Sequence, residues 1–143
     1  MGETMDIANP SEEHAMLREM VRDWTKEHVE PQALEHDRDE AFNLPLLRSM
    51  GELGLLGISA DEKYGGAGLD ATACAIVHEE LSASDPGFAL AYLAHSMLFV
   101  NNLAQNGSEE QKSRIIPLVS DEINLQEYVA ETDLLIGGVL IPG

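Results

Sequence analysis

Five helix-start signals divide the sequence between residues 11 and 117. In each, a short polar side chain precedes a helical pattern of apolar residues, where its oxygen can accept a hydrogen bond from the free N–H groups of the first turn. One signal continues with a proline at the first helical position, and another is a capping box. These start signals predict a bundle of about five or six helices. The signals are Ser11, Asn43, Asp70, Asp85-Pro86 and Ser108-Glu109-Glu110-Gln111.

The first two helices have predictable ends. The first should end or kink at Pro31, because proline lacks a backbone N–H and its ring clashes with the preceding turn. The second should stop at Gly51 or Gly54, and a glycine-rich loop with a short extended piece over residues 55–58 is predicted to follow. The apolar face of the first helix follows the i, i+3, i+4, i+7 pattern. It consists of Leu17, Met20, Val21, Trp24 and His28.

The helix that Asp85 opens is the most apolar of the set. It has apolar residues on most of its sides, which is typical of a helix buried at the centre of a bundle. Gly107 ends it. Its apolar residues are Phe88, Leu90, Tyr92, Leu93, Met97, Leu98, Val100 and Leu103, and those of the preceding helix are Ala73, Cys74, Val77 and Leu81.

The charge of the chain excludes several classes of partner. Acidic residues outnumber basic ones 26 to 8, for a formal net charge of −18. A surface of this sign repels phosphate backbones and anionic lipid headgroups, so we expect no nucleic acid and no membrane as partners. The longest apolar run, residues 134–141, is too short to cross a bilayer, and the N-terminus has no apolar signal region. Since Cys74 is the only cysteine, no intramolecular disulfide can form, and we predict a cytoplasmic protein.

The character of the sequence changes after Arg114. Residues 115–143 contain no lysine or arginine but five acidic residues. A short helix is predicted over residues 121–130 and a buried strand over residues 134–141. The chain therefore divides into a helical domain, residues 1–117, and a divergent C-terminal segment, residues 118–143.

Spacing alone assigns no catalytic residue and no metal site. A di-iron site in a helical bundle needs a glutamate three residues before a histidine, and none of the five histidines has one. His78-Glu79-Glu80 begins like a zinc-protease helix but lacks the second histidine. Cys74 lies on a predicted apolar face, which indicates a packed thiol rather than a nucleophile.

Two further patterns have plain structural interpretations. Gly66-x-Gly68-x-x-Ala71 matches the loose dinucleotide-binding pattern, but the preceding residues are polar, and Asp70 would place a carboxylate beside a bound phosphate. A turn followed by a capped helix explains it better. On spacing alone, Tyr92 and His95 indicate a hydrogen-bonded buried pair in preference to ligand contact.

Three motifs follow one another in a characteristic order. They are Glu62-Lys63-Tyr64-Gly65-Gly66-Ala67-Gly68, His78-Glu79-Glu80-Leu81-Ser82, and Ala94-His95-Ser96 followed by Asn106-Gly107-Ser108-Glu109-Glu110-Gln111-Lys112. In this order and spacing they resemble the N-terminal helical domain of the flavin-dependent acyl-CoA dehydrogenases, over about residues 11–117. The resemblance implies an all-α, orthogonal-type helical bundle with a short appended C-terminal segment.

The resemblance also implies a reaction and a binding site. Members of this family are oxidoreductases of fatty acid metabolism that oxidise the α,β bond of an acyl-CoA thioester. A glutamate abstracts the α-proton, FAD takes the β-hydride, and the electrons pass to an electron-transfer flavoprotein. By matching position, Leu90 and Ala94 are expected to line the pocket for the acyl-CoA substrate, with Tyr92 and His95 close by.

The sequence after Pro117 departs from the family pattern. It lacks the flavin-contacting motif, and the family's catalytic glutamate lies in the C-terminal half of its chains. We therefore expect a truncated, catalytically incomplete member without cofactor-binding residues of its own, for which an electron-transfer flavoprotein is a partner only if the protein is active. Two alternatives stay open: a non-catalytic helical module that binds an acyl chain or a protein and forms a homo-oligomer through exposed apolar surface, and a folded gene fragment.

Overall fold

The computed structural model describes residues 8–113, which form five continuous helical runs. No strand occurs within this range, so the prediction of an all-α bundle is confirmed. The first run joins α1 (Glu12–Trp24), a first π segment (Thr25–Val29) and α2 (Glu30–Arg38). Two single helices follow, α3 (Leu44–Glu52) and α4 (Ala71–Ser84). The fourth run joins α5 (Pro86–Leu93), a second π segment (Ala94–Asn101) and α6 (Asn102–Asn106), and the fifth is α7 (Glu109–Ser113).

All five helix-start signals are confirmed. At the starts of α1, α3, α4 and α5, the cap side chain accepts a hydrogen bond from the backbone N–H three residues later. In the capping box of α7, the Gln111 N–H donates to Ser108 Oγ at 3.2 Å, and the Ser108 N–H donates to Gln111 Oε1 at 2.8 Å. Each start thus satisfies N–H groups that have no partner within their own helix.

Pro31 lies inside a continuous helical run, so the predicted end of the first helix at this residue is wrong. The first π segment comes directly before α2, and Pro31 occupies one of the first two positions of α2. A proline is tolerated there because the first turn of a helix does not need its missing N–H. The π segment therefore accommodates the proline without ending the run.

The buried face of the first run differs from the predicted one. Val21, Thr25 and Val29 are almost completely buried. Met20 is 38% exposed and His28 is exposed, so their assignment to the buried face was wrong. A π turn holds more residues than an α turn, so a 3.6-residue period places His28 on the wrong side. In this run, the partly buried residues that pack against the core are Leu17 and Trp24.

Residues 55–58 do not form the predicted extended piece. Gly54 follows α3 with a φ of 74°, a left-handed conformation that ends the helix as predicted and turns the chain back. A 3₁₀ turn, Leu55–Gly57, then buries two neighbouring leucines, Leu55 at 2% and Leu56 at 5% exposure. An extended strand would have pointed these neighbours to opposite faces. We refer to Leu55–Gly57 as the 55–57 turn.

The run from α5 to α6 is buried on one side only. Phe88, Tyr92 and Val100 are at most 3% exposed and join the core. Leu90 and Leu98 are 57% and 65% exposed, so the prediction of a helix buried on most sides was wrong for this face. Composition does not separate a core helix from one with an exposed apolar face, because both are apolar all round.

A buried carboxylate joins α1 to α4. The Glu80 side chain, 9% exposed, accepts a hydrogen bond from Arg18 Nη1 at 2.6 Å and two from Arg22, at 2.8 and 2.9 Å. The Arg22 guanidinium, with help from Arg18, holds the pKa of Glu80 below its usual range. We call Arg18, Arg22 and Glu80 the ion cluster. A paired charge in this position can be broken only at the cost of leaving a buried charge behind.

One imidazole connects the starts of α1 and α4. His14 Nδ1 lies 2.7 Å from Ser11 Oγ, and His14 Nε2 lies 3.0 Å from Asp70 Oδ1. Ser11 and Asp70 are the caps of the two helices. The hydrogen bonds from His14 and from the Ala73 N–H hold the pKa of Asp70 below its usual range. The two helix starts are therefore tied to each other through side chains outside the apolar core.

Several predictions lie outside the described residues: the helix over residues 121–130, the strand over residues 134–141, and the C-terminal segment of residues 118–143. The division of the chain at residue 117 stays a prediction. Within residues 8–113, no helix combines the length and the apolar character that a membrane span requires.

We predict that the substitution Glu80→Gln lowers the free energy of unfolding at neutral pH by about 2–3 kcal/mol, because it removes the buried charge that Arg18 and Arg22 share and leaves only Arg18 paired with a second carboxylate, that of Glu79. Glu79→Gln is the matched control, since the neighbouring Glu79 side chain is 64% exposed and pairs only with Arg18; it should cost less than about 1 kcal/mol. Urea denaturation of both variants measures the difference. Equal losses would show that burial of the carboxylate does not matter.

The same cluster predicts a pH dependence with a definite sign. Because the pKa of Glu80 is lowered on folding, its stabilising contribution is fully present above the usual glutamate pKa, about 4.3. It is lost as the pH falls from there through the lowered pKa of the folded state. Glu80→Gln should therefore lose less stability than the wild type when urea denaturation is repeated at decreasing pH below 4.3.

Candidate functional site

The outer face of the fourth run carries an apolar stripe. Leu90, Ala94 and Leu98 follow one another at intervals of four residues, the first at the middle of α5 and the other two in the second π segment. Leu90 is 57% exposed, Leu98 is 65% exposed, and Ala94 between them is partly buried. We call these three residues the apolar stripe. Two of them, Leu90 and Ala94, are residues for which the sequence predicts contact with an acyl chain.

Tyr92 lies on the inner side of the same helix. Its side chain is completely buried, and its hydroxyl donates a hydrogen bond of 2.7 Å to the carbonyl oxygen of Leu55 in the 55–57 turn. Burial raises the pKa of the Tyr92 hydroxyl well above its usual range. Tyr92 is thus a neutral hydrogen-bond donor within the core rather than a group that faces the stripe.

His95 also interacts with the 55–57 turn. Its ring lies close to the backbone of Leu56, and its Nε2 atom is buried without a hydrogen-bond partner. Burial lowers the pKa of His95, which keeps the ring neutral.

Tyr92 and His95 do not form the buried pair that their spacing suggested. The Tyr92 hydroxyl bonds the Leu55 carbonyl instead, and the histidine that contacts the Tyr92 ring is His78, with ring centroids 4.8 Å apart. His78 Nδ1 lies 2.6 Å from the carbonyl oxygen of Cys74. The hydrogen bond between His78 and Cys74 was not predicted from the sequence, although their four-residue spacing is the one at which a side chain can bond a backbone carbonyl within a helix.

Two buried residues next to this contact have structural roles. Ser96 donates a hydrogen bond of 2.8 Å to the carbonyl oxygen of Tyr92, one turn earlier, and its Oγ lies 3.5 Å from His78 Nε2. Cys74 is 1% exposed, and burial raises the pKa of its thiol. A thiol in this state is a poor nucleophile, which agrees with the packed thiol predicted from its position on the apolar face.

The glycine loop, residues 65–68, does not fit a nucleotide phosphate. A 3₁₀ turn, Glu62–Tyr64, leads into it instead of a strand, and the carboxylate of Asp70 already accepts the N–H of Ala73 at the start of α4. A phosphate at this helix start would compete with that carboxylate. The residues that the structure describes here therefore offer no cradle for the phosphates of FAD.

The glycines of this loop have a packing role instead. A Cβ atom on Gly66 would lie 2.0 Å from the carbonyl oxygen of Ala60. The Ala67 N–H donates to the Gly57 carbonyl at 3.1 Å, and the Leu69 N–H donates to the Ile58 carbonyl at 2.9 Å. The loop thus packs directly against the 55–57 turn and the residues that follow it.

Within residues 8–113, no three or more acidic, cysteine or histidine side chains form a group that could hold a metal ion.

We predict that Gly66→Ala lowers the free energy of unfolding by about 2 kcal/mol or more, because the new methyl group overlaps the Ala60 backbone. Gly87→Ala provides the comparison, since its Cβ would meet only Asp85 Oδ1, at 3.3 Å. This second substitution should change stability by less than about 1 kcal/mol. Urea denaturation measures both values, and a similar loss in the two variants would contradict the packing role of Gly66.

Comparison with known protein families gives one match over most of the chain. The family described as "Acyl-CoA dehydrogenase, N-terminal domain" matches residues 11–122. A mitochondrial isovaleryl-CoA dehydrogenase of Pongo abelii is 43% identical over 115 residues, which are 78% of this chain and 27% of the relative. The chain thus spans about a quarter of the length of this relative.

Solved structures agree with this match. A chain from the structure described as the electron transferring flavoprotein of Acidaminococcus fermentans superposes with a TM-score of 0.71 and 28% identity, covering 84% of this chain and 30% of that one. An acyl-CoA dehydrogenase from Bacillus anthracis, complexed with FAD, superposes with a TM-score of 0.68 and 33% identity, covering 84% of this chain and 21% of that one.

Proposed function

Because the chain belongs to the acyl-CoA dehydrogenase family through its N-terminal domain, we propose that it forms the helical acyl-binding part of a flavin-dependent enzyme that oxidises acyl-CoA thioesters at the α,β bond. The observation that carries this proposal is the apolar stripe. Leu90 and Leu98 are more than half exposed on a chain whose net charge is −18. Large apolar side chains that stay exposed on a strongly charged chain mark a surface that another apolar group covers.

The stripe is suited to the hydrocarbon part of the substrate. Leu90 and Leu98 offer apolar contact at either end, and the small Ala94 between them leaves room for a chain of methylene groups. Contact with these residues removes the acyl chain from water and orients it. Tyr92 and His95 lie behind the stripe and are not assigned a direct contact with the substrate.

The redox chemistry is assigned to groups outside residues 8–113. FAD supplies a hydride acceptor when it is bound, and the glycine loop described above does not fit it. We propose that activity needs FAD, a catalytic glutamate and an electron-transfer flavoprotein. The described residues are assigned neither the role of that glutamate nor the binding of FAD or the flavoprotein. The unpaired, buried thiol of Cys74 supports a cytoplasmic location.

We predict that the chain binds acyl-CoA with an affinity that rises with acyl length. A fully buried methylene contributes about 0.8 kcal/mol, and a single wall covers about half of it, so each added methylene should strengthen binding about twofold. Calorimetric titration with butyryl-, hexanoyl- and octanoyl-CoA at constant ionic strength measures this gain, with free CoA as the blank. Turnover is not expected from the chain alone.

Leu90→Ser and Leu34→Ser are the matched variants for this experiment. Leu34 is 79% exposed and belongs to α2, a different helical run from the stripe, so its substitution should leave the acyl-length dependence unchanged. Leu90→Ser should weaken octanoyl-CoA binding about threefold or more, because an exposed apolar contact is lost. Affinities that do not depend on acyl length, or equal effects of the two substitutions, would contradict the proposal.

A second candidate is a non-catalytic module that binds other copies of itself. Exposed apolar side chains outside the stripe favour it, namely Leu34 at 79% and Phe42 at 47% exposure. Sedimentation analysis together with the acyl-CoA titration separates the two candidates. A self-associating chain that binds no acyl-CoA supports the module, whereas a monomer that binds acyl-CoA supports the acyl-binding domain.

A further inference from the structure

A groove lies between the first run and α3, on a part of the surface that does not include the apolar stripe. Its volume is about 630 Å³, within the range of about 300–1,000 Å³ that is typical of binding pockets. We call it the Trp24 groove. It is lined by Trp24, Glu27 and His28 from the first run and by Leu46, Ser49, Glu52 and Leu53 from α3 and its C-cap.

The interior of the Trp24 groove is apolar. Trp24 and Leu46 are partly buried and pack against the core, and Leu53 is 40% exposed. Met20, which is 38% exposed, lies one turn before Trp24 on the same side of α1. The ring of Trp24 meets the ring of His28 edge-on, with centroids 5.3 Å apart. A tryptophan held in this way is suited to anchor a protein interface.

The charged residues at the rim of the groove have one sign. Glu27 lies on the wall that the first run forms, and Glu52 lies on the other wall, at the end of α3. Both residues are exposed, so each carboxylate can pair with a group that enters from solvent. No lysine or arginine lies among the described residues that line the groove. The groove therefore combines an apolar interior with a negative rim.

This charge favours a cationic protein partner over other occupants. The phosphates of an acyl-CoA, or the carboxylate of a fatty acid, would approach two carboxylates of the same sign. A second copy of this chain would add a further net charge of −18, and the resulting repulsion opposes association through this surface. A partner that carries lysine or arginine beside apolar residues meets neither obstacle.

The binding segment of such a partner should be helical. Residues 8–113 contain no strand, so the described surface has no sheet edge to which an extended segment could bind through its backbone. A helix satisfies its backbone N–H and C=O groups internally and can enter an apolar groove with side chains alone.

We propose that the Trp24 groove binds a basic amphipathic helix of a partner protein. The apolar side of this helix contacts Trp24 and Leu53, and its lysines or arginines pair with the two carboxylates of the rim. The inference does not depend on the proposed function, because no residue of the apolar stripe lines the groove.

The fluorescence of Trp24 in the full chain tests the proposal. Trp24 is the only tryptophan of the sequence, so its emission reports directly on the groove. The probe is a peptide of about 15 residues, or four helical turns, with one stripe of leucines, lysines on its other sides and no aromatic residue. One comparison peptide has the same composition with the leucines scattered, and the other has the same stripe with glutamates in place of lysines.

The striped lysine peptide should shift the emission of Trp24 to shorter wavelength and saturate at one peptide per chain, because docking removes the indole ring from water. Neither comparison peptide should produce this shift. The titrations are made at an ionic strength of about 0.15 M, which limits attraction by net charge alone.

Two pairs of charge reversals test the rim. Glu27→Lys combined with Glu52→Lys should weaken binding of the striped peptide about tenfold or more, because two attractions become repulsions. Glu35→Lys combined with Glu62→Lys is the matched control, since both residues are exposed, lie outside the groove and change the net charge equally. This control should weaken binding by less than about threefold.

A pair of leucine substitutions tests the apolar contact. Leu53 and Leu69 are 40% and 39% exposed, and only Leu53 lines the groove. Leu53→Ser should weaken binding about threefold or more, whereas Leu69→Ser should leave it within about twofold. Circular dichroism confirms that each variant is folded.

Four results would overturn the proposal. Equal shifts with the striped and scattered lysine peptides, or equal effects of the two charge-reversed pairs, would show attraction by net charge alone. Equal binding of the glutamate peptide would show that the rim does not select a basic partner. Emission that changes with chain concentration in the absence of peptide would identify a second copy as the occupant. A shift that octanoyl-CoA causes and Leu53→Ser abolishes would identify an acyl chain.

Discussion

The arrangement of the helices depends on one carboxylate that is almost removed from water. Glu80 would cost several kcal/mol if it were buried without partners, and the two arginines that satisfy it both come from α1. The helices α1 and α4 can therefore pack closely only in the register that brings Arg18 and Arg22 to this position. Many apolar contacts tolerate a shift, whereas this ion cluster does not, because it demands both distance and orientation.

The position of the outer stripe follows from that register. Asp85 directly connects α4 to α5, so the placement of α4 also places the start of the fourth run. From there, the Tyr92 hydroxyl attaches the run to the 55–57 turn. Within the described residues, the ion cluster thus positions α4, and α4 in turn positions the apolar surface at the outer side of α5.

The parts of the fold that could be predicted from the sequence are those that neighbouring residues determine. Ser11, Asn43, Asp70 and Asp85 each cap a helix by a bond to a residue three positions later, and that bond does not depend on the rest of the fold. The left-handed conformation of Gly54 is similarly local. The family resemblance added the placement of Leu90 and Ala94, whose role in acyl binding stays a prediction.

The features that escaped prediction depend on contacts between distant residues. Helical spacing places Leu90 and Tyr92 on opposite sides of α5, but the hydrogen bond that shows which side faces inward joins Tyr92 to Leu55, 37 positions away. His28 was misplaced because hydrophobic periodicity assumes a regular α-helix, and a π turn breaks that assumption. The exposure of Leu98 was not predicted, because the sequence does not show whether an apolar residue is covered by its own chain or left exposed for another molecule.

The net charge of −18 has a consequence for the rate at which ligands arrive. Coenzyme A, which the proposed function gives as part of the ligand, carries phosphate groups, so the field of this chain opposes its approach, the reverse of the electrostatic steering by which many proteins capture charged ligands. Since salt screens this field within about 8 Å at physiological ionic strength, the proposal implies that association becomes faster as salt is added. It also implies that hydrophobic contact with the acyl chain governs how long a bound molecule stays, while the ionic strength of the medium governs how often one arrives.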